Sequence, residues 1–157
     1  MFKCEHTIFV EEFRMRYNEI KCDLFSLGPE YYLAHCISAD FALGAGIAVQ
    51  FNRRFDLHKR LKAEYPRYAN YWNEGTCLLE DHVFNLVTKS RYWQKPTYKS
   101  MSDALVAMRD ICVEQDINRI AMPMIGCGLD KLDWHRVSKL IKETFVNTEV
   151  EIIVCRL

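Results

Sequence analysis

The apolar run Ile120-Ala121-Met122-Pro123-Met124-Ile125 leads straight into Gly126-Cys127-Gly128-Leu129-Asp130, and this juncture constrains the chain more than any other. Arg119 to Ile125 reads as a buried strand. A strand that stops at paired glycines suits an open α/β sheet, in which ligands settle just past the carboxyl ends of strands. Glycines at that point let backbone N–H groups come close to an anion such as a phosphate. Asp130, at the end of the turn, then places a carboxylate against whatever the turn holds.

The remaining pattern supplies the other parts of such a sheet. Residues 1–14 alternate weakly and read as an edge strand or an N-terminal extension. Arg14 to Lys21 reads as a strand, followed by a turn at Gly28-Pro29, and Tyr31 to Ile37 as a central strand. From Gly46 the period turns helical, with Ile47, Phe51 and Phe55 on one side, and a second short helix covers Asp56 to Glu64. Pro66 to Gly75 is an aromatic-rich loop. Thr76 to Leu79 and Val83 to Lys89 form a hairpin around Glu80-Asp81. Pro96 and Thr97 precede a long helix with Ser100 and Asp103 in capping-box positions and an inner face of Met101, Leu105, Met108 and Cys112. A further helix spans Asp133 to Phe145, with Trp134, Val137, Ile141 and Phe145 inward, and Glu149 to Cys155 closes the chain as a strand. Strands interleaved with helices, plus one hairpin, predict an α/β fold: a mixed sheet covered by helices on both faces.

The chain's 157 residues, half of them apolar, suit one domain over 1–157 with a real core. Lys plus Arg equals Asp plus Glu at 21 each, so no global field draws the protein to nucleic acid or a membrane. Nucleic acid would have to meet a local patch such as Arg53, Arg54, Lys59 and Arg60. No apolar stretch approaches the roughly 20 residues that span a bilayer. The start, Met1-Phe2-Lys3-Cys4-Glu5-His6, lacks a basic segment followed by an apolar one, so no secretory signal is expected. Seven cysteines without a CxxC pair argue against a zinc ribbon or a thioredoxin motif. Reduced, mostly buried thiols in an intracellular monomer are expected, in the nucleus or cytoplasm if the source is eukaryotic.

Of six glycines, four fall in two pairs, Gly44-Ala45-Gly46 and Gly126-Cys127-Gly128. Each pair follows a strand and precedes a helix. Two such turns side by side can clamp a diphosphate; the alternative is two tight turns that need positive φ. Neither is a Walker or GxGxxG motif. Asp23 either accepts from an exocyclic amine of a base or caps its own turn. Ser38 either donates to a ribose or phosphate or caps the Asp40 turn. Lys89 ends an apolar strand, with Arg91 and Lys95 close behind. Desolvation and cationic neighbours make a lysine nucleophilic, whereas a snorkelling surface lysine is the ordinary alternative. Cys127 with His35 or His135 would instead suggest a thiol hydrolase. The Tyr68–Trp72 cluster either stacks on a base or pins its loop to the body.

Taken together, Cys22-Asp23-Leu24-Phe25, Leu33 to Ser38, Gly44 to Val49, Val87-Thr88-Lys89, Lys95 to Tyr98 and Pro123 to Asp130 resemble the macrodomain family. The resemblance runs from about Tyr17 to Leu157, and it is to the branch that removes ADP-ribose from acidic side chains and deacylates O-acyl-ADP-ribose. It implies a three-layer α/β/α sandwich with ADP-ribose in a cleft at the sheet's carboxyl edge. Asp23 and Leu24 would then hold the adenine end, and Leu157 would pack beside it. Ser38 with Gly44, Ala45, Gly46 and Ile47 would line the diphosphate and distal ribose. Met124, Ile125, Gly126, Cys127, Gly128 and Leu129 would stand opposite. Lys89 matches the family's catalytic lysine and Asp130 its catalytic aspartate. Neither metal nor cofactor is implied, because N–H groups neutralise the diphosphate; the partners implied are ADP-ribose and ADP-ribosylated proteins. His35-Cys36-Ile37-Ser38 replaces the asparagine-rich stretch of many other macrodomains, which fits the lysine branch. An ADP-ribose-binding module without turnover, an ADP-ribose 1″-phosphate phosphatase and a hydrolase of ADP-ribosylated nucleic acid are the alternatives.

Overall fold

The computed structural model of the protein describes residues 16–68 and 74–156. The expected extension over 1–14, part of the aromatic loop and Leu157 lie outside these residues. Six strands, β1 (Arg16–Lys21), β2 (Tyr32–Ser38), β3 (Thr76–Glu80), β4 (Val83–Lys89), β5 (Arg119–Met122) and β6 (Glu151–Arg156), form one sheet in the order β1-β6-β5-β2-β4-β3. All neighbours are parallel except β3 and β4, the predicted hairpin. The described helices are α1 (Ile47–Phe55), α2 (Leu57–Glu64), α3 (Tyr98–Gln115) and α4 (Trp134–Phe145).

Alternation along the strands explains the layering. On β4, Phe84 and Leu86 join Met101, Leu105 and Met108 of α3 and Val137, Ile141 and Phe145 of α4 in one core. Val83 and Val87 of the same strand point the other way, to Phe51 of α1 and Leu57 and Leu61 of α2. β6 divides likewise, Ile152 and Val154 to the first core and Ile153 and Cys155 to the second. A parallel sheet apolar on both faces must be covered on both faces, and the result is the α/β/α sandwich.

Most boundaries shift by a residue or two, and two differ in ways that bear on the site. β5 ends at Met122 rather than Ile125, because Pro123 has no N–H to continue the ladder. Ile125 is still buried, as a plug in the first core rather than as a strand residue. The cap of α3 is Thr97, not Ser100. Thr97 Oγ1 accepts from Ser100 N and Ser100 Oγ from Thr97 N, both at 3.0 Å, which is a capping box one turn earlier than the Ser100–Asp103 pair. Ser100 Oγ also donates to the Thr88 carbonyl at 2.6 Å, fixing the start of α3 to the residue before Lys89.

His35 is fully buried in the middle of β2. Asn85 uses both amide hydrogens on the carbonyls of Leu78 and Val83, so its Oδ1 faces His35 Nε2 at 2.6 Å and requires that nitrogen to carry a proton. The ring stacks on Phe51 at 4.0 Å between centroids. Burial pushes the His35 pKa down from 6.5 to about 4, against a smaller opposing effect of the Asn85 hydrogen bond. Because the folded value lies below the unfolded one, stability is full above about pH 6.5 and falls as pH drops toward 4. Two to three pKa units correspond to about 3 kcal/mol. In urea unfolding at pH 7 and pH 4.5, the parent is expected to lose about 2–3 kcal/mol more than His35→Gln, whatever the absolute stability of the variant. Equal losses would show that the buried imidazole does not set this slope.

Candidate active site

Lys89 and Asp130 meet at the carboxyl edge of the sheet. Lys89 is the last residue of β4 and Asp130 lies in the turn after β5, and Nζ donates to Oδ1 at 2.8 Å. The side chains are 15% and 16% exposed, so the pair is shielded without being sealed. The register of β2 and β4 shifts between Ile37 and Ser38, and this irregularity sets Ser38 directly beside Lys89.

The two glycine turns face each other next to Asp130. A Cβ built on Gly46 would lie 3.6 Å from Leu129 Cδ1, so the first turn faces the second at contact distance. Gly46 is the N-cap of α1 at φ 60° and ψ −148°, and no side chain caps that helix. Val49 N bonds the Gly46 carbonyl at 3.3 Å, which leaves the N–H groups of Ile47 and Ala48 to meet an anion. In the second turn Gly126 has φ +73°, and a Cβ there would come within 2.7 Å of Met101 Cε and 3.1 Å of Leu132 Cδ1. Cys127 N to the Met124 carbonyl, Lys131 N to Gly128 and Leu132 N to Gly126 hold this turn at 3.3, 3.2 and 2.8 Å. Gly44, Ala45, Gly46, Gly128 and Leu129 are exposed, while Ile47, Met124 and Cys127 are half-buried.

The approach to the first turn is strained. Phe41 and Leu43, both buried, take φ of 56° and 49°, a left-handed conformation that costs non-glycine residues on the order of 1–3 kcal/mol each. The surroundings hold it in place. His58 Nδ1 bonds the Phe41 carbonyl at 2.6 Å, and the Phe41 ring stacks on Tyr68. Tyr68 and Tyr65 thus pin the loop instead of offering a free stacking face; residues 69–73 lie outside the described part.

Asp40 joins the elements. Its Oδ1 accepts from Ser38 Oγ at 2.5 Å and Ala42 N at 3.2 Å, and its Oδ2 accepts from Tyr92 N at 3.0 Å. One carboxylate therefore ties the end of β2 to the loop that follows Lys89. Lys95, on that loop, donates to the Leu129 carbonyl at 2.8 Å. It bridges to the second glycine turn at the residue before Asp130, the partner of Lys89. Neither link was legible in the sequence: Asp40 looks like a turn cap, and Lys95 like one cation of several.

The other candidates resolve individually. Ser38 caps the Asp40 turn, as one of its two expected roles required. Asp23 caps the 3-10 turn Leu24–Ser26, accepting from Phe25 N at 3.0 Å, and remains exposed. Leu24 is buried in the second core. Cys127 gives its Sγ–H to the Ile125 carbonyl at 3.3 Å, and burial, with Asp133 adding, pushes its thiol up to about 11. His35 faces the opposite core and His135 is exposed on α4, and among the described residues no histidine hydrogen-bonds that sulfur, which favours a structural role for Cys127 over the thiol-hydrolase reading. Two members of the basic patch have partners as well. Arg54 lies over the Phe25 ring at 4.3 Å, and Arg60 pairs with Asp81 at 3.7 Å. Among the described residues, no three His, Cys, Asp or Glu side chains are grouped to hold a metal ion, and no helix is long and apolar enough to cross a membrane.

An α/β/α sandwich with two glycine turns and a lysine–carboxylate pair at the sheet's carboxyl edge is the arrangement to compare with known proteins. The human protein named ADP-ribose glycohydrolase OARD1 is 38% identical over 141 residues, covering 88% of this chain and 90% of that relative. The macrodomain of Thermus aquaticus DarG superposes with a TM-score of 0.77 at 22% identity, over 90% of this chain and 98% of that one. Thermosipho africanus DarTG, solved in complex with ADP-ribose, gives a TM-score of 0.75 at 18% identity, over 90% and 42%. No protein-family model matches the sequence. The chain belongs to the macrodomain family, with the ADP-ribose glycohydrolases.

Proposed function

We propose that the protein hydrolyses the bond between the distal ribose of ADP-ribose and an acidic side chain, and deacylates O-acyl-ADP-ribose, with Lys89 as nucleophile and Asp130 as acid and base. The observation that carries this is the 2.8 Å Lys89–Asp130 pair beside two facing glycine turns, the first of which opens α1 with no side-chain cap. Turns alone would serve a binding module; the pair adds groups suited to bond cleavage. The 38% identity to a protein named as an ADP-ribose glycohydrolase supports the same reaction class, and the ADP-ribose held by Thermosipho africanus DarTG supports the ligand.

In the proposed sequence the diphosphate lies against the N–H groups of the two turns, which brings C1″ to the pair. Asp130 takes a proton from the Lys89 ammonium, and the freed amine attacks C1″ as the acyl carboxylate leaves with the electrons of the C1″–O bond. Asp130 gives that proton to the ring oxygen as the sugar opens and takes one of the two protons left on Nζ, leaving a protonated imine between C1″ and Nζ. Water adds to that carbon, the C–N bond breaks, and ADP-ribose departs with the lysine restored. The carrier that bore the ADP-ribose leaves past Tyr92, Trp93 and Leu129, which are 65%, 65% and 62% exposed. Two exposed rings on a pinned loop favour a macromolecular carrier over a small acyl group. A nucleic-acid carrier, whose bases stack on aromatic faces, is the second reading.

The test is incubation with a glutamate-ADP-ribosylated protein and with O-acetyl-ADP-ribose, each with and without cyanoborohydride. Release of ADP-ribose, and a reduced ADP-ribose adduct mapped to Lys89, are the expected results. Tight binding without release would leave a binding module, and release without an adduct at Lys89 would remove the covalent step.

A further inference from the structure

On the β1–β6 side of the sheet, a second pair of side chains meets at close range. Cys22 directly follows β1, and Cys155 lies on β6, its neighbour. The Cys22 N–H donates to the Arg156 carbonyl at 3.2 Å, so the two strands are still joined at this level. The two sulfurs stand 2.7 Å apart, and both cysteines are free. A disulfide bond is about 2.05 Å long, so a shift well below 1 Å would close one. Among the described residues the other cysteines do not compete, because Cys36, Cys77, Cys112 and Cys127 belong to the core on the opposite face. Access is unequal: Cys22 is half-buried, while Cys155 is 4% exposed. Burial, helped by Cys22 and Asp23, pushes the Cys155 thiol up to about 12, so Cys155 does not make the first attack.

We propose that Cys22 and Cys155 form a reversible oxidative modification site, in which Cys22 exchanges with a low-molecular-weight disulfide of the glutathione type and Cys155 resolves it into a bridge between β1 and β6. In the first exchange the Cys22 sulfur bonds to one sulfur of the small disulfide, and the other leaves as a thiolate that takes up the Cys22 proton. In the second, Cys155 gives up its proton, its sulfur bonds to Cys22, and the second small thiol departs. Two protein thiols lose two electrons in total, and one small disulfide gains them. The bridge staples the base of the turn that begins at Asp23, where Phe25 N and Ser26 N already bond back to Asp23. The inference stands on the sulfur geometry and is independent of the hydrolase reading.

The full chain would be treated with glutathione disulfide and followed by intact mass, non-reducing peptide mapping and hydrogen exchange. Expected are the loss of two hydrogens, a cross-linked peptide joining Cys22 to Cys155, and slower exchange at Leu24 to Leu27, all reversed by dithiothreitol. In Cys155→Ser the reaction should stop at a glutathione adduct on Cys22, and in Cys22→Ser both cross-link and protection should be lost. A parent that accumulates glutathione on Cys22 with Cys155 still free, or that bridges Cys22 to another cysteine, would overturn the proposal. A cross-link without slower exchange at Leu24 to Leu27 would overturn the stapling.

Discussion

Lys89→Ala and Asp130→Asn are each expected to lower kcat for release of ADP-ribose from a glutamate-linked substrate by about 10²–10⁴-fold, the span that acid–base and nucleophilic assistance supply. The dissociation constant for free ADP-ribose, measured by calorimetry, should stay within about threefold, because in this arrangement the glycine turns make the grip and the pair makes the chemistry. Removing one partner leaves the other charge at a position only about 15% exposed, so a modest fall in Tm is expected for either single variant. The double variant is the sharper test. If the two residues act in one proton-coupled step, losing both should slow the reaction no more than losing the more damaging one. Independent roles would multiply the two losses. Rates unchanged in both single variants would remove this pair from the reaction, whatever the cleft binds.

The sequence foretold the sheet because burial is written into its period. Val83 to Lys89 alternates between two cores, and Ile152 to Cys155 does the same. Glycine pairs were legible because few residues tolerate the backbone that such turns need. What was not legible is what depends on distance in space without pattern in sequence. Lys89 and Asp130 lie 41 positions apart, and no spacing rule joins them; only the family resemblance did. Phe41 and Leu43 carry no sign of a left-handed backbone, since both are apolar residues that a strand would accept. Asp40 reads as one more turn residue until its three hydrogen bonds are counted in space. The end of β5 was misplaced by periodicity, because an apolar run reads the same whether it continues a strand or plugs a core. Cys22 and Cys155, 133 positions apart, could not have been paired by arithmetic on cysteines.

Gly46→Ala should raise the dissociation constant for ADP-ribose at least about tenfold, equivalent to 1.4 kcal/mol. Space is not the reason, because the new Cβ would sit in ordinary contact with Leu129 Cδ1 at 3.6 Å. The backbone is. With φ 60° and ψ −148°, Gly46 occupies a region that only glycine enters readily, and a side chain there costs on the order of 1–3 kcal/mol. That strain is relieved by rotating the peptides on either side. Those peptides lead into Ile47 and Ala48, whose N–H groups open α1 and would form half of the proposed anion grip. Affinity therefore falls, while kcat at saturating substrate should change by no more than a few-fold, since the Lys89–Asp130 pair is untouched. Gly44→Ala is the control. Its φ lies outside the left-handed region and its nearest neighbour would be the Ala42 carbonyl oxygen at 3.8 Å, so its dissociation constant should stay within about twofold of the parent. Equal losses at the two glycines would mean that the turn grips through its openness rather than through the one conformation Gly46 supplies.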